Sequence, residues 1–250
     1  RWPAGSAPLV GLVRRVAEID GLWRLRLSSL EPADVTDELL GLWAESPKLA
    51  PHFHLPLQSG STRVLKAMNR QYDPAEFLER VERIRSALDR PSISTDIIAG
   101  FPGETDGDFE KTLSVARAAG FSKIHAFPFS AIDGTAAYAR RREAPDAAVV
   151  RRRLDALRSV EQQSAERYRG RFVGDELEGL VERPRPSRGP VRQAMTDRYL
   201  TIDFRPPRGE DWTGRVMRFE ITGRTERGLA GRVCTDRPRA DAVVRGDTHQ

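Results

Sequence analysis

The chain has 250 residues, 39% hydrophobic and 31% charged, which suits one large or two smaller globular domains with a true core. Its net charge of +5 permits a nucleic-acid partner, although only four of the 41 basic residues are Lys. No apolar run approaches the roughly 18 residues of a membrane span, the start Arg1-Trp2-Pro3-Ala4-Gly5-Ser6 lacks a signal peptide's apolar stretch, and the one cysteine, Cys234, excludes an internal disulfide framework and suggests a reducing, cytoplasmic setting.

Taken in order, Leu9, Leu12, Val13, Val16 and Ile19 recur at helical spacing and predict an amphipathic helix. Residues 23–28 alternate Trp/Leu/Leu against Arg24 and Arg26 and read as a strand. A helix is expected over 34–43, a strand over 52–57, and a long helical region over 62–88 broken at Asp73-Pro74. Residues 93–98 read as a buried strand. Gly100, Pro102 and Gly103 stop it, and Thr105 with Asp108 caps a helix over 106–119 that Gly120 closes. A strand over 122–129 and an Arg-rich helix over 146–168 follow. Four strands alternating with five helices argue for parallel βα units, about half of a (β/α)₈ barrel, and a sheet that begins on a helix looks cut at its N-terminal side.

Near Gly170 the helical period disappears. Short alternating runs over 177–181, 199–204, 216–222 and 229–233 are separated by Pro- and Gly-rich turns such as 183–190 and 206–209, the pattern of a small antiparallel, OB-like barrel. Residues 171–232 hold 13 Arg against 10 Asp plus Glu, about +3. The expected division is therefore 1–169, 170–234 and a polar, disordered tail over 235–250.

Strand ends carry the candidate chemistry. Ser28-Ser29-Leu30-Glu31-Pro32, Pro56-Leu57-Gln58-Ser59-Gly60-Ser61, Asp96 to Glu104, and Pro128-Phe129-Ser130 would converge on one mouth of a barrel, where such folds place ligands. Their carboxylates, amide and hydroxyls, with Phe127 for stacking, suit a ligand that has an amino-acid end, a ribose and an adenine. A set of plain βα turns with nothing bound is the alternative. His52 and His54 share one strand face and read as a packed or hydrogen-bonding pair rather than metal ligands, His125 reads as structural, and no metal site is expected. Arg140-Arg141-Arg142 and Arg151-Arg152-Arg153 suit phosphate or a solvated helix face equally.

The chain resembles the tRNA methylthiotransferases of the radical S-adenosylmethionine superfamily. The resemblance lies in Arg24 to Pro32, His52-Phe53-His54-Leu55-Pro56-Leu57-Gln58-Ser59-Gly60-Ser61, Val64-Leu65-Lys66-Ala67-Met68-Asn69-Arg70, Thr95 to Glu104, and Phe127-Pro128-Phe129-Ser130 with Gly134-Thr135. Residues 171–233, with Thr196-Asp197-Arg198-Tyr199, resemble the TRAM domain that binds tRNA in this family. The Ser-Ser-Leu-Glu-Pro form is most similar to the branch acting on N6-threonylcarbamoyladenosine at position 37. The resemblance implies a partial radical S-adenosylmethionine barrel followed by a TRAM barrel. It implies tRNA as partner, and S-adenosylmethionine and 4Fe-4S clusters as cofactors. Ser29, Glu31, Gln58, Ser59, Asp96, Gly100 and Phe127 would then lie on the cofactor side, and Arg198 and Tyr199 on RNA.

Two departures stand out. The family's CxxxCxxC cluster motif is absent, as is its N-terminal domain, so the chain is expected to be the inactive C-terminal part of a longer enzyme; the opening Arg agrees with a fragment or a processed product. Ile132 stands where the family carries Arg. The alternatives are a non-catalytic RNA-binding protein with a degenerate barrel, and a cofactor-binding (β/α) enzyme without iron.

Overall fold

The structure is a computed structural model that describes residues 8–184, 189–207 and 209–234. The chain divides into two compact units, Arg1–Ala165 and Glu166–Gln250.

The first unit begins with α1 (Pro8–Ala17) and α2 (Asp37–Glu45), and then places three parallel strands beside one another in the order β1 (His52–His54), β2 (Ser92–Ala99), β3 (Lys123–Pro128). Each strand is followed by helix: α3 (Thr62–Ala67) and α4 (Pro74–Ala87), then α5 (Asp106–Ala119), then the single turn α6 (Ala136–Ala139) and the long α7 (Ala147–Gly170). The break at Asp73-Pro74 is a capping box. Asp73 accepts from the N–H groups of Ala75 and Glu76, Glu76 reaches back to the Asp73 N–H, and Pro74 occupies the first helical position, where no donor is needed. Thr105 and Asp108 form the same device at the start of α5, and Gly120 ends that helix in the left-handed conformation at φ 56°.

Residues alternate across a strand, so each strand has two unlike faces. Phe53, Ile93, Ile97 and Ile124 are buried, and they join Phe77, Val81 and Ile84 of α4 and Phe109, Leu113 and Ala116 of α5 in one apolar cluster. The opposite face carries His52 and His54 of β1, Ser94 and Asp96 of β2, and His125 and Phe127 of β3. The register sets His54 beside Ser94 and Asp96 beside His125.

The expected strand over 23–28 is not a full strand. It makes one isolated parallel bridge, Leu25 to Leu49, Ser29 just beyond it bridges His54, and the sheet proper has three strands rather than four. The strand expected over 52–57 ends at His54. Pro56 has no N–H to donate, the Leu57 N–H turns to Thr95 Oγ1 at 2.9 Å, and Gln58 swings into the left-handed region at φ 60° before bridging Ile97. The turn α6 went unread because Ala136-Ala137-Tyr138-Ala139 is too short for a period.

In the second unit the strands β4 (Glu176–Val181), β5 (Arg192–Thr196), β6 (Thr201–Phe204), β7 (Val216–Arg224) and β8 (Leu229–Val233) close into a barrel in the order β4-β5-β6-β8-β7. Leu177, Ala194, Ile202, Phe204, Phe219 and Leu229 fill it, together with Tyr168 and Phe172. An α/β unit followed along the chain by a small barrel is thus the observed architecture. The barrel is not wholly antiparallel, because β6 and β8 pair in parallel to close it. β5 was not foreseen: Arg192-Gln193-Ala194-Met195-Thr196 has only Thr196 β-branched and no strict alternation of burial to announce it. The expected tail over 235–250 lies outside the described residues.

Candidate functional site

The polar face of the sheet is the candidate site. Its centre is Asp96. His54 Nε2 lies 3.2 Å from Asp96 Oδ2, and His54 Nδ1 lies 3.0 Å from Ser94 Oγ. The His125 ring sits 5.8 Å from that of His54 and stacks at 15° on Phe127. Phe127 is half exposed, a flat apolar surface at the outer end of the face. Burial, helped by the positive charge of Arg26, pushes the His52 imidazole down to about 4. Burial also lowers His125, against the opposing pull of Asp96.

Two loops frame the face, and both are anchored in protein. The first follows β1. Ser59, fully buried, meets Thr112 Oγ1 at 3.3 Å, and the Gly60 N–H donates to the same oxygen at 2.9 Å. Ser61 Oγ donates to Asp108 Oδ1 at 2.7 Å. A side chain on Gly60 would put its Cβ 2.5 Å from Thr112 Cα, so only glycine fits there. Burial alone would raise Asp108, but hydrogen bonds from Arg63, Ser61 and Thr105 outweigh it and hold the carboxyl well below the usual range.

The second loop follows β2. The Gly100 N–H donates to Glu104 Oε2 at 2.7 Å, and Arg153 Nη1 donates to the same oxygen at 2.7 Å. The Glu104 side chain is fully buried and Arg153 is 5% exposed. Burial raises the Glu104 carboxyl, while the Gly100 N–H and Arg153 pull it back.

The expected site residues therefore separate. Asp96 and Phe127 lie on the polar face, and Ser29 reaches it through its bridge to His54. Glu31 caps a short turn and pairs with Arg70 at 2.9 Å, with about half its side chain exposed. Gln58 is 8% exposed and spends its N–H and C=O on Asp96 and Ile98. Ser59 turns to α5. Gly100, at φ 84°, shapes the loop against Val150. Glu104, read as flanking the site, is instead committed to Arg153. In the barrel Tyr199 is 58% exposed at φ 60°, whereas Arg198 is folded down on the Phe172 ring with Asp197 3.0 Å away. Sequence reasoning missed the contacts of His54 with Asp96 and Ser94 and the place of His125 beside Asp96; the i, i+2 spacing of His52 and His54 was its only signal.

Among the described residues no group of three or more His, Cys, Asp or Glu is arranged to hold a metal ion, and no helix is long and apolar enough to cross a membrane. A cavity of about 800 Å³ between α2 and α4, lined by Asp37, Leu40, Trp43, Glu79, Arg83 and Leu88, touches none of the candidate residues; the polar face, with its convergent side chains, is the better site.

Residues 3–116 match the family model described as the Radical SAM superfamily. A relative from Cereibacter sphaeroides, "tRNA-2-methylthio-N(6)-dimethylallyladenosine synthase", is 39% identical over 231 residues, which cover 92% of this chain and 52% of the relative. A protein of the same name from Rhodococcus jostii is 38% identical over 216 residues, 85% of this chain and 43% of its own length. The chain thus spans about half the length of the curated relatives it matches. Coproporphyrinogen III oxidase from Escherichia coli, at 18% identity and a TM-score of 0.48, covers 62% of this chain and 36% of its own.

Proposed function

We propose that the chain is the C-terminal portion of a radical S-adenosylmethionine enzyme that places a methylthio group on C2 of an N6-modified adenosine at tRNA position 37. The observation that carries this is the polar sheet face. Asp96 offers a carboxylate to ribose or ammonium, Ser29 is bridged to His54 beside it, and Phe127 offers a half-exposed ring to an adenine. That set fits S-adenosylmethionine. It does not fit an iron–sulfur cluster, since one cysteine cannot supply three thiolates, and no step through a cluster is assigned to these residues. When bound and cleaved by one electron from an iron–sulfur cluster held outside these residues, S-adenosylmethionine would supply the radical. The chain's own residues hold the nucleoside, orient it and fix the loops around it. The second unit contributes the RNA contact, as a TRAM-like module with Tyr199 exposed on its surface and Arg198 beside it.

The finer reading is N6-threonylcarbamoyladenosine. The Ser28-Ser29-Leu30-Glu31-Pro32 segment supports it. The relatives' names favour a second reading, the dimethylallyl substrate. Mass spectrometry of nucleosides from tRNA of cells lacking the gene tests both. Loss of the 2-methylthio form of threonylcarbamoyladenosine is expected; loss of the dimethylallyl form instead selects the second reading, and no change in either refutes the function. The purified chain should bind tRNA with an affinity that falls steeply with salt, and removal of residues 171–250 should abolish most of it.

A further inference from the structure

His54 uses both of its ring nitrogens. A carboxylate oxygen can only accept, so Nε2 carries a hydrogen and donates to Asp96 Oδ2 across 3.2 Å. Ser94 Oγ, 3.0 Å from Nδ1, is then placed to donate to it. The same hydroxyl oxygen lies 3.4 Å from His52 Nε2, which is placed to donate in turn. The low pKa of His52 keeps that ring neutral. Ser94 is 3% and His52 8% exposed, so the inner end of this chain of groups is shielded from water, and the Phe53 carbonyl, 3.4 Å from Ser94 Oγ, is the acceptor that competes for the Ser94 hydrogen. Asp96 is the outer end, with 28% of its side chain exposed.

We propose that His54 is a positioning residue: fixed by Ser94, it holds the Asp96 carboxylate in one orientation as an acceptor for the hydroxyls of a ribose. A vicinal diol presents two O–H donors, and a carboxylate fixed at one oxygen keeps the other free to turn toward them. The proposal rests on the reading of this face as a nucleoside-cofactor site, and adds to it the device that orients the acceptor.

Two measurements on the 250-residue protein test it. Long-range ¹H–¹⁵N spectra of histidine-labelled protein read each ring's tautomer, with His54→Gln assigning the resonance. Calorimetry with S-adenosylhomocysteine reads nucleoside binding. The expected result is the Nε2–H tautomer at His54, loss of that bias in Ser94→Ala, and binding weakened about tenfold in His54→Ala and Asp96→Asn. His54→Gln, whose amide N–H reaches the same place, should restore most of the affinity. An Nδ1–H tautomer, or His54→Ala binding as tightly as wild type, overturns the positioning role. Wild-type protein that binds no S-adenosylhomocysteine, with the Nε2–H tautomer present, overturns the cofactor reading and the ribose with it, while the tautomer still upholds the relay to Asp96.

Discussion

Replacing Arg153 by Met tests whether the loop after β2 is held by charge. The substitution keeps a long apolar stem and removes the guanidinium. Glu104, its side chain fully buried, then keeps one described donor to its carboxylate, the Gly100 N–H at 2.7 Å. The bond from Arg153 to Asp106 at 2.8 Å is also lost but contributes little, because Asp106 is 90% exposed. Breaking one side of a buried pair costs about 3–5 kcal/mol, since the remaining charge is stranded. At urea slopes of about 1–3 kcal/mol per M, a loss of about 3 kcal/mol lowers the midpoint by about 1–3 M. The sign with pH follows from the raised Glu104 carboxyl. A group raised in the folded state stabilises most when protonated, below its unfolded value, and loses that contribution as pH rises through its folded value. Removing Arg153 raises Glu104 further, so the variant's deficit should shrink on acidification toward pH 4. Glu104→Gln in the Arg153→Met background should recover much of the loss. Helical circular dichroism against urea at two pH values is the assay. A deficit under 1 kcal/mol, or a double variant no more stable than Arg153→Met, would refute the reasoning.

Three further outcomes are expected. Gly60→Ala drives a methyl to 2.5 Å from the backbone of α5 and should cost about 1–3 kcal/mol, read as a drop in melting temperature. Gln58→Gly relieves a left-handed residue and should leave stability equal or up to about 1 kcal/mol higher, whereas Gln58→Val should lose more than that by the same melt. His52, lowered to about 4 from an ordinary 6.5, contributes stability that is present above 6.5 and lost as pH falls toward 4, worth about 3 kcal/mol at most; His52→Gln should flatten the stability profile between those values, and an unchanged profile would count against it.

The fold was legible where local chemistry decided it. Asp73-Pro74-Ala75-Glu76 and Thr105 to Asp108 write their capping boxes in the sequence, and α5 was bounded to the residue. It was illegible where pairing is made by something other than a strand ladder. Residues 23–28 alternate as a strand should, yet their described ladder contact is a single isolated bridge at Leu25, with Ser29 bridging just beyond, and Thr95 substitutes its hydroxyl for a backbone carbonyl at Leu57. The candidate site was half legible. Asp96 stood out because a carboxylate on a buried strand is unusual. Its partners did not, because His54 and Ser94 are 40 residues apart and meet only through the parallel register. Glu104 misled for the opposite reason: an acidic residue in a glycine loop looks exposed until a basic residue on a distant helix covers it.

Asp108 gathers four donors: the Thr105 N–H at 3.0 Å and its hydroxyl at 2.5 Å, the Ser61 hydroxyl at 2.7 Å, and the Arg63 guanidinium. One carboxylate thus ties the start of α5 to the loop after β1 and to the first turn of α3. These segments cannot fray separately without stranding that charge. In hydrogen exchange the Gly60, Ser61 and Thr105 amides would open as a single cooperative event rather than as three local ones, so the rim of the polar face either stands complete or lets go as a whole.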